Sequence, residues 1–206
     1  MRQTIAIYGG AFDPPTMAHA HVVNAVLDHC DVDFIDICPS YNHRFKSNSV
    51  TFENRLDMCE LGFNRLGATV KEVEKIVFEV GGDGSTRALA EYYIELAKDP
   101  KSLYYGDLFA FVIGVDNADS ISTWKDPDWL IENVSFIVIP RGGYEPQKTW
   151  YRSGKHQYLD NIMPIDFSSS MARQEISQGN IDSLHMVNED VLDYIRDKKL
   201  YISTDH

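Results

Sequence analysis

The sequence predicts an α/β protein, a doubly wound, mostly parallel sheet flanked by helices, and three observations lead there. A short β-rich run, Thr4 to Tyr8, ends at Gly9-Gly10 and is followed by apolar residues at helical spacing, Val22, Val23, Val26 and Leu27. Phe109 to Val115 is an almost uninterrupted apolar run, the pattern of a parallel strand buried on both faces. Strand-like and helix-like segments alternate along the rest of the chain, which implies right-handed βαβ units. Hydrophobic residues make up 44% of the 206 and aromatics 12%, enough for one packed domain over 1–206.

Taken in order, the first unit is strand, glycine loop and a helix over His19 to His29. Val32 to Cys38 reads as a second strand ended by Pro39, and Phe52 to Leu66 as a helix with a cap at Thr51. Val70 to Val80 reads as a third strand ending in Gly81-Gly82-Asp83-Gly84, after which Leu89, Tyr92, Tyr93 and Leu96 keep a helical period. Phe109 to Val115 is the central strand, Val134 to Ile139 the fifth and Ile162 to Phe167 the sixth; Val191 to Ile195 lies in a last helix. The polar, Gly- and aromatic-rich stretch from Arg141 to His156 is expected to be a mobile loop. In such sheets ligands bind beyond the carboxyl ends of the strands, so the loops after Tyr8, Val80, Val115 and Ile139 are where a site is sought.

The formal charge of −12 repels phosphate backbones, which argues against sequence-independent nucleic-acid binding and leaves a small nucleotide, held by a few local cations, as the compatible phosphate ligand. No apolar run approaches a membrane span and the N-terminus lacks a signal-type core, so a cytoplasmic protein without a membrane partner is expected. Cys30, Cys38 and Cys59 are odd in number and lack CxxC spacing, so they read as reduced small hydrophobes. Oligomeric state is not written in the sequence; a homo-oligomer is compatible with it.

The first loop runs Gly9-Gly10-Ala11-Phe12-Asp13-Pro14-Pro15-Thr16-Met17-Ala18-His19. Glycines there let backbone amides approach phosphate, and the helix N-terminus adds partial positive charge. Thr16 and His19, three apart, share one face of the first turn and could clamp a phosphate. The loop is neither a GxGxxG fingerprint nor a GxxxxGK[ST] loop. Asp13, before Pro14 in a turn, reads as fixing the loop, and His19 with His21 lie on different helix faces, so no metal site is assigned to the protein.

The string GGAFDPPTMAH resembles the G-G-x-F-D-P-x-[HT]-x-G-H signature of nucleotidyltransferases that carry an HxGH or TxGH motif. Ser168-Ser169-Ser170-Met171-Ala172-Arg173 resembles their second signature, I-S-S-T-x-x-R, and Phe111 to Asp116 followed by Trp124 is similar to the strand end and tryptophan of the nicotinate mononucleotide adenylyltransferases. Arg55-Leu56-Asp57-Met58, Pro140-Arg141-Gly142-Gly143-Tyr144 and the ending Val191-Leu192-Asp193-Tyr194-Ile195 with Leu200-Tyr201 extend the likeness over nearly the whole chain. Thr16 stands where many members have histidine, Ala18 replaces a glycine and Ser170 a threonine; none of these removes a polar group the chemistry needs. Gly84-Ser85-Thr86-Arg87-Ala88-Leu89 departs furthest, lacking the aromatic and one threonine of the family's Y-T-x-x-T-L.

The resemblance implies a Rossmann-like nucleotidyltransferase fold and transfer of AMP from ATP, with Mg²⁺, onto a pyridine mononucleotide. Nicotinate mononucleotide would give deamido-NAD; nicotinamide mononucleotide is the alternative acceptor, with pantetheine phosphate or a non-catalytic nucleotide-binding regulator as more distant readings. It implies His19, Thr16 and Arg173 as catalytic residues. ATP would be bound by Gly9, Gly10, Ala11, Phe12, Thr16, His19, Gly114, Asp116, Ser168, Ser169, Ser170 and Arg173. The mononucleotide would meet Lys46, Ser85, Thr86, Trp124 and Arg141, with His43-Arg44 able to replace Lys46 after a small shift.

Overall fold

In the computed structural model, residues 2–41, 50–180 and 185–202 are described. Strand β1 (Thr4–Gly10) leads into α1 (Met17–His29), β2 (Phe34–Pro39) into α2 (Phe52–Phe63), and β3 (Ala68–Val70) into α3 (Val73–Glu79) and α4 (Thr86–Lys98). Strand β4 (Leu108–Gly114) continues into α5 (Val115–Asp119), a 3-10 turn (Ile121–Thr123) and α6 (Pro127–Asn133). Then come β5 (Ser135–Ile139), a second 3-10 turn (Trp150–Arg152), β6 (Gln157–Tyr158), α7 (Ser169–Ser177) and α8 (Glu189–Lys198). Among the described residues the strands form one parallel sheet of six in the order β3-β2-β1-β4-β5-β6.

Alternation along the strands builds a core on each face. Ile5 and Ile7 of β1 and Phe111 of β4 pack with Leu89, Ala90 and Tyr93 of α4, Val115 and Ala118 of α5 and Leu130 of α6. Ala6, Ala110 and Val112 face the other way, onto Val23, Ala25 and Val26 of α1 and Cys59 and Phe63 of α2. A third cluster joins Met58 of α2 to Ala172 and Ile176 of α7 and Val191, Leu192 and Ile195 of α8, so the C-terminal helices sit outside α2. Direction of winding reverses between β1 and β4, which opens the crevice at their carboxyl ends.

Three expectations are corrected. Val70 to Val80 is not a strand: β3 ends at Val70, and Val73 and Val77, one turn apart, turn inward on α3 while Val80 stays largely exposed. The β-branched run suited either state, and the buried pair at i and i+4 decided for helix. Ile162 to Phe167 is not the sixth strand either; Gln157–Tyr158 pairs with β5, and within the run from 162 to 167 Ile162 is buried while Met163, Ile165 and Phe167 are exposed. The stretch from Arg141 to His156 is anchored and not simply a free loop: Gln147 and Lys148 donate backbone N–H groups to the Asp119 carboxylate, Tyr151 donates its hydroxyl there, and Trp150 Nε1 donates to Ala118 O. Cys30, Cys38 and Cys59 are free thiols, the last two buried.

Candidate active site

At the carboxyl end of β1 the chain turns sharply. A Cβ on Gly10 would lie 3.1 Å from the Phe12 ring, so the glycine is what lets that ring fold back beneath the loop. Phe12 adopts a positive φ of 47° and is 1% exposed, edge-on to Tyr8, His19 and Phe63. The side chain is thus a core pin, and its backbone stays with Gly9, Gly10 and Ala11 at the mouth of the crevice.

Thr16 caps α1, and its backbone N–H donates to His19 Nδ1 at 2.9 Å, a capping box with histidine in the position usually held by Glu or Gln. An Nδ1 that accepts carries no proton, so the neutral ring holds its proton on Nε2. Burial pushes the His19 pKa down to about 4, which makes this Nε2–H donor the neutral-pH form. Thr16 itself is buried, with Oγ1 2.9 Å from the same Nδ1. Its hydroxyl therefore lies against the imidazole, where it can orient His19.

The second signature meets the first across the whole chain. Ser168 caps α7, accepting from Met171 N–H at 3.2 Å; Ser169 Oγ donates to Pro14 O at 2.8 Å. Arg173 Nη1 donates to Asp13 O at 2.7 Å and Nη2 to Ser170 Oγ at 3.3 Å. A helix start bearing three hydroxyls and a guanidinium is thereby fixed beside the glycine loop.

Two residues whose work the sequence did not disclose hold this loop from behind. Arg55, 1% exposed on the inner face of α2, donates through Nη1 to Ala11 O at 2.7 Å and through Nη2 to Ser40 O at 2.6 Å. Tyr201, past the last helix, donates its hydroxyl to Asp13 Oδ1 at 2.8 Å. With Ser40 N–H on Gly10 O as well, the carbonyls of Gly10, Ala11, Asp13 and Pro14 are bound by protein, which favours amides as the groups to meet an anion. Arg55 had a signal, since it falls with Cys59 and Phe63 on the buried stripe of α2. For Tyr201, an aromatic beyond a helix end, no local pattern marked it, and its only signal was its place in the family-like ending.

The remaining candidates lie at the same end of the sheet. Gly114 ends β4, where a Cβ would come within 2.6 Å of Asp116 Oδ1, and Asp116 pairs with Arg141. Ser85 caps α4, accepting from Ala88 N–H at 3.2 Å, and Thr86 opens the helix. Trp124 follows the 3-10 turn after α5, half-buried against the α4 side of the core. Lys46, with His43 and Arg44, lies outside the described residues.

Neutral imidazole N–H, serine hydroxyls, guanidinium and helix amides gathered at the switch point of a parallel sheet form a donor set chemically suited to a nucleotide's phosphates. The chain matches the cytidylyltransferase-like family over residues 7–175. A protein of Acholeplasma laidlawii named "Probable nicotinate-nucleotide adenylyltransferase" is 31% identical over 198 residues, covering 96% of this chain and 97% of its own. One of the same name from Borrelia garinii subsp. bavariensis is 30% identical over 201 residues, covering 96% and 94%. The chain belongs to the cytidylyltransferase-like family and, within it, to the nicotinate-nucleotide adenylyltransferases. The fold is shared with the Plasmodium falciparum nicotinic acid mononucleotide adenylyltransferase complexed with NaAD, at a TM-score of 0.77 and 24% identity over 97% of this chain and 98% of that one.

Proposed function

We propose that the chain, acting as one domain over 1–206, transfers AMP from ATP to nicotinate mononucleotide, giving deamido-NAD and pyrophosphate. The observation that carries this is the bond from Arg173 Nη1 to Asp13 O, because it joins two phosphate-type signatures 160 residues apart into one site at the β1/β4 crevice.

In this reading the mononucleotide 5′-phosphate oxygen attacks the α-phosphorus of ATP, an O–P bond forms, and the bond to the β-phosphate breaks with its electron pair leaving on pyrophosphate. No covalent enzyme intermediate is required; the residues align the reactants and offset growing oxygen charge. His19 donates from Nε2 to an α- or β-phosphate oxygen, and the amides of Gly9, Gly10, Ala11 and Phe12 support the same group. Ser168, Ser169, Ser170 and Arg173 hold the departing phosphates, Gly114 and Asp116 the rest of the ATP, and Ser85, Thr86, Trp124, Arg141 and Lys46 the acceptor. Trp124 gives the pyridine ring a face to stack on.

ATP enters as its Mg²⁺ complex. Among the described residues no three His, Cys, Asp or Glu side chains gather to hold a metal, and the donor set at the loop is amide, hydroxyl, imidazole and guanidinium. That set fits an ion whose ligands are phosphate and water. Three free thiols support a reducing, cytosolic setting.

The test is pyrophosphate release by the purified protein with ATP, Mg²⁺ and, in turn, nicotinate or nicotinamide mononucleotide. Release with the acid in excess of the amide is expected. Release with neither would overturn the proposal, and faster release with the amide would reassign the acceptor.

A further inference from the structure

The segment that departs furthest from the family's pattern, Gly84 to Leu89, is tied by charge to the segment that carries Trp124. Lys125 Nζ lies 3.0 Å from Asp83 Oδ2, while Asp83 Oδ1 accepts from Ser85 Oγ at 2.5 Å and Ser85 N–H at 3.2 Å. One residue further on, Asp126 Oδ2 lies 3.9 Å from Arg87 Nη1, and the Arg87 guanidinium sits 3.3 Å from the centre of the Trp129 ring. Arg87 also bonds Glu91 at 2.5 Å, so its side chain spans from its own helix to α6. Two consecutive residues after Trp124 thus reach two points on the start of α4, one before its cap and one in its first turn.

Backbone geometry agrees with a held segment. Asp126 has φ of 51° and ψ of 57°, a left-handed conformation that aspartate tolerates at a modest penalty and that persists where surroundings over-determine it. Trp124 N–H closes the preceding 3-10 turn on Ile121 O at 2.9 Å. The backbone at Trp124 is therefore held by the turn before it and by the charged ties of the two residues after it. The hydrogen bonds from Ser85 and Lys125 also hold the Asp83 carboxyl well below the usual carboxylate range, so the tie is ionised across the working pH range.

We infer that Asp83–Lys125 and Arg87–Asp126/Trp129 form a two-point brace holding the Trp124 segment to the start of α4, which makes Lys125 and Arg87 positioning residues for the mononucleotide in this chain. The inference rests on the acceptor assignment proposed above. The ties join the start of α4 to the segment after Trp124 by charge at the protein surface. A brace of that kind acts on acceptor binding and leaves the triphosphate site, built on α1 and α7, untouched.

The experiment is steady-state pyrophosphate release with each substrate varied in turn, alongside binding of nicotinate mononucleotide read by tryptophan fluorescence. Lys125→Ala is expected to raise the mononucleotide KM and Kd roughly threefold to fivefold, the scale of one exposed ion pair. Arg87→Ala, which also loses the ring contact, is expected to raise them about tenfold. The KM for ATP should stay within about twofold in both, because only the acceptor wall is loosened. The conservative Lys125→Arg keeps a cation for Asp83 and leaves the Ser85 bonds in place, and should retain most of the affinity that Lys125→Ala loses, an outcome a general folding defect would not produce. A competent wild type whose variants keep the mononucleotide KM, or lose affinity for ATP and mononucleotide alike, overturns the brace alone. A wild type that neither binds nor turns over the mononucleotide overturns the functional reading and the brace with it.

Discussion

The Tyr201 hydroxyl donates to Asp13 Oδ1 at 2.8 Å, tying the end of the chain to the phosphate loop across 188 residues. Burial raises the Tyr201 pKa, so the group remains a protonated donor at neutral pH. Tyr201→Phe keeps the ring packing and removes the bond. It is expected to lower stability by about 1 kcal/mol, a Tm fall of roughly 2–4 °C, and to reduce kcat severalfold, since the loop that carries the amides loses one support. Calorimetry and initial rates check both; an unchanged kcat would separate the latch from catalysis.

Arg55 is the buried charge on which the loop leans. Arg55→Met leaves Ala11 O and Ser40 O without their donor and should destabilise by about 2–5 kcal/mol in urea unfolding. Arg55→Lys should recover only part of this, because an ammonium cannot donate two divergent bonds as a planar fork does. Equal stability of the methionine variant and the parent would show that the loop carbonyls find other partners.

His19→Ala is expected to reduce turnover about 10²- to 10³-fold with the far-ultraviolet spectrum retained, the scale of losing one donor to developing charge. The same variant changes the acid response. His19 has a folded pKa near 4 against 6.5 for the ordinary side chain, so the unfolded chain binds more protons between those values and the residue lowers stability as pH falls from about 6.5 to 4. The stability difference between variant and parent should therefore shift in the variant's favour on acidification through that window. Parallel pH profiles would show that the ring titrates normally.

Glu74, on α3, has its pKa raised to about 7 by burial. Here the folded state favours the protonated acid, so its contribution is fully present below about pH 4.5 and is lost as pH rises through 7. Glu74→Gln should match the parent at pH 4.5 and exceed it by about 1–2 kcal/mol at pH 8, allowing for partial exposure. Chemical denaturation at the two pH values measures this; a constant offset would rule it out.

Much of the fold and of the candidate site was legible from local pattern. Short β-rich and near-continuous apolar runs placed β1, β2, β4 and β5, and period-3.6 spacing placed the main helices, because those segments bury surface that their own sequence marks. Gly10, Thr16 and His19 could be named as candidates because a glycine loop and an i, i+3 pair leave local signatures, whereas Ser168 and Arg173 were named through the resemblance of their stretch to the nucleotidyltransferase signature. The stretch from Val70 to Val80 was misread because β-branched apolar residues fit strand and helix alike until a neighbouring surface selects which of them is buried. Ile162 to Phe167 was misread because a strand exists only if another lies beside it, and Gln157–Tyr158 had already taken that edge.

What the sequence determined by itself was the doubly wound order, the glycine loop and the chemistry available at its ends, all of which are set within single turns and strands. Only the tertiary structure decided that Tyr201 and Arg173 converge on Asp13, that Arg55 holds Ala11, and that Lys125 and Arg87 join the start of α4 to the segment after Trp124. Those contacts span long stretches of chain, and a hydrogen bond or ion pair between distant residues is specified by how the helices pack on the sheet; no periodicity or spacing in the chain records it.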